Sequence, residues 1–425
     1  MSDPLTISVV IVSRHRPDAL RRCLRGVAQL RYPAFEVVVV ADPQGLAMLR
    51  GLPQAAQIKQ VAFDQANISA ARNLGLAQAA GRVVAFIDDD SVPEPLWLTH
   101  LAAAFADPQV AAAGGFVRGR NGISFQSRAA SVDCTGGETA LQVDPDRITV
   151  LTARPGLGIK TEGTNMAIRR GVLARIGGFD PRYRFFLDET DLNLRLAEIG
   201  AQTAIVPPAE VHHGFAASAR RRDDRVPRDL TEIGASWAVF LARHCPEDRR
   251  AAVWAEIRAG ERTRALTHMV AGRLEPRDVR RLLAGLDAGF AEGARRNPEP
   301  MPSLPAPAAP FLSYPVRADA RSLVFAGRFW RRRPLRQAAR AAAAAGNVAT
   351  VIRLSPTALY HQLRFNPDGI WEQSGGLFGR SDRDQPVFTL WRFSSRIRAE
   401  IARVARQRGL GGSSRAAEPA DGKMP

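Results

Sequence analysis

Three runs of β-branched and apolar residues mark the N-terminal part of this chain: TISVVIVS at 6–13, FEVVVVA at 35–41 and VVAFI at 83–87. None alternates polar with apolar side chains, so each reads as a strand buried on both faces, as in a parallel sheet. Helical patterns lie between them. Pro17 and Asp18 open one whose apolar positions Ala19, Leu20, Cys23, Leu24 and Val27 recur at helical spacing. Another strand-like segment, QIKQVAF at 57–63, precedes the helical NISAARNLGLAQAAG at 67–81. This alternation predicts an α/β fold with a mostly parallel sheet flanked by helices. Functional residues of such sheets gather at the carboxyl ends of the strands, where Asp42 and Asp88–Asp90 fall.

Residues 91–215 are less regular and Gly-rich. They hold a loop GTNMAIRR (163–170), then VLARIGGFD (172–180), a helical DETDLNLRLAEIG (188–200) and a strand TAIVP (203–207) leading to Val211, His212 and His213. Residues 216–296 read as an Arg-rich helical extension, with Ile233, Trp237, Phe240 and Leu241 as an apolar stripe. Residues 297–320 are Pro-rich, a linker or an extended crossing segment. Residues 321–410 form one more small α/β unit, and 411–425 read as a disordered tail. The expected division is thus 1–215, 216–296, 297–320, 321–410 and 411–425. Within FNPDGIWEQSGGLFGRS (365–381), Trp371, Gly375, Gly376 and Gly379 suggest an aromatic-and-glycine loop able to stack a sugar ring.

At 45% hydrophobic and 24% charged, the 425 residues match the usual globular mix. The net charge of +17 is uneven: residues 1–215 hold 22 basic and 21 acidic groups, residues 216–425 hold 37 and 21. A basic half expects an acidic partner such as nucleic acid, anionic lipid or a polyanionic glycan. The clusters Arg220–Arg222 and Arg331–Arg333 are short and aromatics are only 7%, so no nucleic acid is expected. The stretch GRFWRRRPLR (327–336) suits an anionic membrane or acceptor, or an ordinary solvated surface. Three scattered cysteines fit a reducing cytoplasm. The N-terminal apolar run lacks the basic flank of a signal peptide, and no run approaches 18 apolar residues. The expected location is cytoplasmic, free or peripheral at the inner face of the membrane.

Adjacent carboxylates at Asp88, Asp89 and Asp90 repel one another unless a cation neutralises them, and a divalent metal with oxygen ligands does so. A solvated acidic turn is the plainer alternative. Asp42 can accept from a ribose or base, or cap the turn that Asp-Pro often makes. Arg72 can face a pyrophosphate or solvent. His212 and His213 can complete a metal shell or pack as ordinary side chains. Asp188, Glu189 and Asp191 suit the first turn of a helix, and also a general base with negative neighbours.

The order of SVVIVSRHRPDALRRCL, the strand ending in Asp42, ISAARNLGL, FIDDDSVPEPLWL, GTNMAIRR, IGGFD, DETDLNLRLAEIG and VHH resembles family 2 glycosyltransferases of the GT-A fold, over residues of about 5–215. The resemblance implies roles position by position. Asp42 would contact the nucleobase and Arg72 the nucleotide. Asp88 and Asp90 would be the ends of a DxD motif, Asp88 near the ribose and Asp90 on the metal, with Asp89 between them on the donor side. Gly163, Thr164 and Asn165 would lie near the donor sugar. His212 would help hold metal or diphosphate, with His213 the second choice. Glu189 would be the base, with Asp188 and Asp191 open because the order Asp188-Glu189 departs from the family's Glu-Asp.

The implied activity is metal-dependent (Mn²⁺ or Mg²⁺), inverting transfer from a nucleoside-diphosphate sugar, a UDP-sugar first, to a glycan or lipid-linked acceptor. Cell-surface polysaccharide or glycolipid synthesis would be the setting. Rival readings are an inactive sugar-nucleotide binder and a nucleotidyltransferase. The latter usually has glycines in the loop after the first strand, and SRHRPDAL has none.

Overall fold

The computed structural model describes residues 3–217, 219–298, 301–317 and 319–410; the tail at 411–425 lies outside the described residues. The chain opens with β1 (Ile7–Ser13), α1 (Pro17–Val27), β2 (Phe35–Ala41), α2 (Pro43–Arg50), β3 (Ile58–Ala62), α3 (Ile68–Gln78) and β4 (Val83–Asp88). These four strands pair in parallel, in the order β3, β2, β1, β4. Nearly every residue of β1, β2 and β4 is buried. Each Val, Ile or Phe so placed contributes roughly 1.5–3 kcal/mol of burial. Leu20, Cys23, Leu24 and Val27 bring the apolar face of α1 onto the same core.

Beyond β4 the sheet turns mixed. Met166–Arg169 pairs antiparallel with both β4 and Val110–Arg118, and Gln202–His213 then runs parallel to Val110–Arg118. The segment 166–169, which the sequence presents as loop, is therefore a central strand. Its four residues are too few to show a period, and the sheet on both sides forms it.

Residues 216–296 carry the expected helices, at Thr231–His244, Glu247–Val270 and Pro276–Gly293. The first and third approach so closely that a Cβ at Gly289 would overlap the Thr231 carbonyl, and one at Gly234 the Leu286 carbonyl. A side chain at Gly289 would improve helix propensity by up to about 1 kcal/mol, but it must push two backbones apart. Gly289→Val is expected to lower stability by about 3 kcal/mol, read as a fall in the urea midpoint; an unchanged or raised midpoint would show the helices are not packed this way.

The Pro-rich segment crosses the first domain in extended form. Leu304 N–H donates to the Ala174 carbonyl, Ala308 to Ala77 and Tyr314 to Phe35, at 3.0, 2.9 and 2.8 Å. Leu312 N–H meets the buried Glu36 carboxylate at 2.8 Å. Proline cannot extend a sheet ladder, but its carbonyls accept: Arg170 donates to Pro305 at 2.8 Å.

The C-terminal unit pairs Ser322–Arg328, Val348–Ser355 and Trp371–Gly376 in parallel, with Gln362–Phe365 antiparallel at one edge. Helices Arg332–Ala344 and Phe393–Arg408 complete it. It docks on the first domain through a buried ion pair: Arg408 Nε and Nη2 each lie 2.8 Å from the Glu94 carboxylate. Trp371 is wholly buried at this junction, between His212, Phe365 and Arg408, and cannot stack a sugar. Gly375, Gly376 and Gly379 serve packing too, since side chains there would overlap His361, Thr357 and Leu359. The sugar-stacking expectation for this loop is therefore replaced by a domain junction.

Candidate active site

The carboxyl ends of β1, β2 and β4 converge, as the parallel topology requires. Asp42 is the N-cap of α2, accepting from Gln44 and Gly45 N–H at 3.3 Å each. His15 joins it, its N–H 3.2 Å from Oδ1 and its Nδ1 3.3 Å from Oδ2. The capping alternative for Asp42 is thus realised, with one imidazole beside the carboxylate.

The three aspartates at the end of β4 diverge. Asp88 is partly exposed and 3.1 Å from Arg72 Nη2. Asp89 is fully buried, accepting from Ser13 Oγ at 2.7 Å and facing Arg16 at 2.6 Å. Burial, opposed by Arg16 and reinforced by Asp90, pushes its carboxyl up to about 7. Asp90 is buried as well, yet His213, Arg16 and the Ala216 N–H hold it well below the ordinary carboxylate range. Its Oδ1 is 3.2 Å from His213 Nε2, and its Oδ2 accepts from Ala216 N–H at 2.7 Å.

Ligand atoms of Asp88, Asp90 and His213 all lie within 4.8 Å of one another. The histidine brought to the aspartates is His213, which corrects the preference for His212. Successive residues of a strand face opposite sides. His212 faces the core, with Nε2 2.8 Å from Glu94 and its ring 4.9 Å from that of Trp371. Glu94, Glu210 and His212 also cluster. There Arg408 and Arg118 already neutralise the two carboxylates.

Arg72 is buried. Its guanidinium joins Asp88 to Asp188, donates to the Gly163 carbonyl at 3.2 Å and lies over Phe179. One cation therefore links the first acidic cluster to the second. Phe186 and Leu187, both left-handed at φ 72° and 63°, set up the start of helix Asp188–Glu198. Bulky residues rarely adopt this conformation, and such strain collects at functional sites.

The three acids of that helix then separate. Asp188 is buried on Arg72. Asp191 is fully buried between Arg195 at 2.7 Å and His244 at 2.9 Å, and Arg195 with the His244 hydrogen bond outweighs burial to keep it ionised. It ties the site to helix Thr231–His244 and is not placed to serve as a base. Glu189 alone stays partly exposed. Desolvation and the neighbouring Asp188 push its carboxyl up to about 8, against Arg72 and Lys160.

In the 163–165 loop, Thr164 and Asn165 turn inward and are buried. Thr164 Oγ1 is 2.6 Å from Ser91 Oγ in the interior. Asn165 is fully buried, accepting from Trp97 Nε1 at 2.7 Å and donating to Phe116 and Ala209 carbonyls at 3.0 and 2.8 Å. The expectation that the Asn165 side chain meets a donor sugar is corrected: it pins helix Trp97–Ala104 to two strands of the sheet. Beside His213 an open cleft of about 440 Å³ is lined by Arg22, Arg120 and Arg364, a charge suited to phosphate.

The sequence model of the glycosyltransferase-like family 2 matches residues 4–229, just over half of the chain. The chain belongs to that family. The O-antigen biosynthesis protein RfbC of Myxococcus xanthus is 28% identical over 233 residues, 52% of this chain and 18% of its own length. The pre-mycofactocin glycosyltransferase of Mycobacterium tuberculosis is 28% identical over 246 residues, 56% of this chain and 48% of its own. The succinoglycan biosynthesis protein ExoM of Rhizobium meliloti is 34% identical over 129 residues, 28% of this chain and 41% of its own. The chain thus spans less than half the length of these relatives. The crystal structure of S. aureus TarS 1-349 in complex with UDP-GlcNAc aligns with 68% of this chain and 90% of that one, at 15% identity and a TM-score of 0.44.

In this member of family 2, Arg16, His15 and Lys160 join the site without having been singled out in the sequence. A signal for Arg16 existed: an arginine in the loop after a first strand is in reach of carboxylates after its parallel neighbour. No helix among the described residues is long and apolar enough to cross a membrane.

Proposed function

We propose that the protein transfers a glycosyl group from a nucleoside-diphosphate sugar, a UDP-sugar first, to a hydroxyl of a glycan or lipid-linked acceptor, with inversion. The observation that carries this reading is the bridge made by Arg72. It joins Asp88, the last residue of β4, to Asp188 at the start of helix Asp188–Glu198. Donor and acceptor sides then sit at fixed separation, which displacement chemistry needs.

Glu189 takes the proton from the acceptor hydroxyl as that oxygen bonds to the anomeric carbon. The bond from that carbon to the diphosphate breaks, and the nucleoside diphosphate leaves with the electron pair. One such displacement inverts the anomeric centre. Asp88, Asp90 and His213, two carboxylates and an imidazole, fit Mn²⁺ or Mg²⁺ and would hold it. A divalent cation bound there supplies positive charge against the departing diphosphate. Asp42 and His15 border the space for the nucleoside.

The names of the relatives support a role in cell-surface polysaccharide assembly, which this reading places on the cytoplasmic side. The test is nucleotide release from a panel of sugar nucleotides with a broad acceptor panel. Turnover of at least one donor is expected, suppressed by chelation and restored by Mn²⁺ or Mg²⁺. Folded protein that turns over no donor would remove the enzyme reading in favour of an inactive sugar-nucleotide binder.

A further inference from the structure

The carboxyl ends of the three parallel strands in the C-terminal unit share one edge, and the loops leaving it carry an unusual set of side chains. Phe329 and Trp330 follow the first strand, Leu359 the second, and Val387, Phe388 and Leu390 the third. All six are exposed, Trp330 by 64%, Val387 by 68% and Leu390 by 80%. Single exposed apolar residues are ordinary, but a contiguous set is not.

Contacts between the loops make this set contiguous. Gly376 N–H donates to the Leu359 carbonyl at 2.9 Å and Phe378 N–H to Thr357 at 3.1 Å. The Phe378 and Phe388 rings lie 5.6 Å apart. Arg328 spans Phe393 and Trp330, 4.6 and 6.0 Å from the ring centroids. Arginines ring the patch. Arg328, Arg331, Arg332 and Arg333 make no ion pair with any carboxylate among the described residues. Nearby Arg353 is lowered by burial and by the positive charge of Arg332. The acids of the third loop, Asp382 and Asp384, lie at its other end, against residues 124–128 of the first domain. The edge is thus aromatic and aliphatic at its tips, cationic around them and free of carboxylate partners.

We propose that this edge seats the protein on an anionic lipid bilayer, the tips entering the headgroup region and the arginines meeting lipid phosphates. Charge decides the occupant. A second copy of the chain would bring the same unpaired arginines face to face, whereas anionic headgroups neutralise them. Tryptophan and phenylalanine suit a boundary that is apolar on one side and wet on the other. Each arginine near such a surface strengthens attachment by about fivefold, and salt weakens it.

The test is sedimentation of the full chain with phosphatidylcholine vesicles, with and without phosphatidylglycerol, at two salt concentrations. Its readout is partitioning, so its outcome is separate from that of the transferase reading. Binding is expected to need the anionic lipid and to fall with salt. Trp330→Ala with Leu390→Asp should reduce it about tenfold, and separately Arg332→Glu with Arg333→Glu should reduce it by at least about 25-fold. Val270→Asp, at an exposed site on another helix, should leave it unchanged. Thermal melts matching the unaltered protein would show each variant folded. Absent binding to anionic vesicles, or binding indifferent to both pairs of substitutions, would overturn the proposal. So would self-association that the same substitutions abolish, or tighter binding to an RNA oligomer than to vesicles.

Discussion

Replacing Glu189 by glutamine is expected to lower kcat by about 10²- to 10⁴-fold, the range for removing a general base, while the donor KM stays unchanged. Glutamine keeps the shape and cannot take a proton. Asp88, Asp90, His213 and Asp42 keep their partners in the variant, so donor binding is untouched. The pH profile gives an independent check. Desolvation and Asp188 raise the Glu189 carboxyl to about 8, so its basic form is the minor one at neutral pH. Activity should therefore climb as pH rises toward about 8 and level off above it. The residual activity of the Glu189→Gln protein should lack that rise. Asp191→Asn offers a contrast: it removes a charge between Arg195 and His244, so it should lower stability before it touches the pH profile. Full activity in the Glu189→Gln protein would place the base elsewhere.

Arg408→Ala is expected to destabilise the protein by about 3–5 kcal/mol, the cost of leaving a buried charge without its partner. Glu94 is 1% exposed and Arg408 fully buried. Burial opposes ionisation of Glu94, yet Arg408 and His212 hold its carboxyl well below the ordinary range. Without Arg408, the carboxylate must take up a proton or water must enter beneath Trp371. Denaturation would show a lower midpoint, and limited proteolysis would cut first within 320–410 as the unit lifts away. The double substitution Glu94→Leu with Arg408→Met should recover most of the loss, because an apolar pair of similar volume needs no neutralisation. A double substitution as unstable as Arg408→Ala would point to Thr350 and Trp371, the other partners of Arg408, as the source of the effect.

The parallel half of the sheet is legible because its signal is local: unbroken β-branched runs, each ending where a carboxylate stands. The order of motifs carries the family for the same reason. Which of two adjacent histidines meets the aspartates depends on strand alternation. The chain does carry that signal, since Glu210 and His212 share a face and His213 does not. The bridging role of Arg72 is hidden because nothing local says that Asp188, over a hundred residues on, pairs with it. Asn165 and Trp371 mislead for the same reason. A polar side chain and an aromatic in Gly-rich loops look available until distant elements close over them. Glu189 is distinguished from Asp188 and Asp191 only by burial and by the partners of the other two, which are properties of the assembled fold.

The buried acids of the first domain also set an order in time. Glu36 is satisfied in part by the backbone at Leu312, and Glu94 waits for Arg408. As the chain is made from its N-terminus, all of β1 to β4 can form before either partner exists. Glu36 already has Lys59, Ser8 and the Ala80 N–H within that part of the chain, so Glu94 is the carboxylate that the nascent domain must hold in its interior without its arginine. Glu94 meets its arginine only after helix Phe393–Arg408 has emerged, so the docking of that helix completes the neutralisation of the first domain's interior.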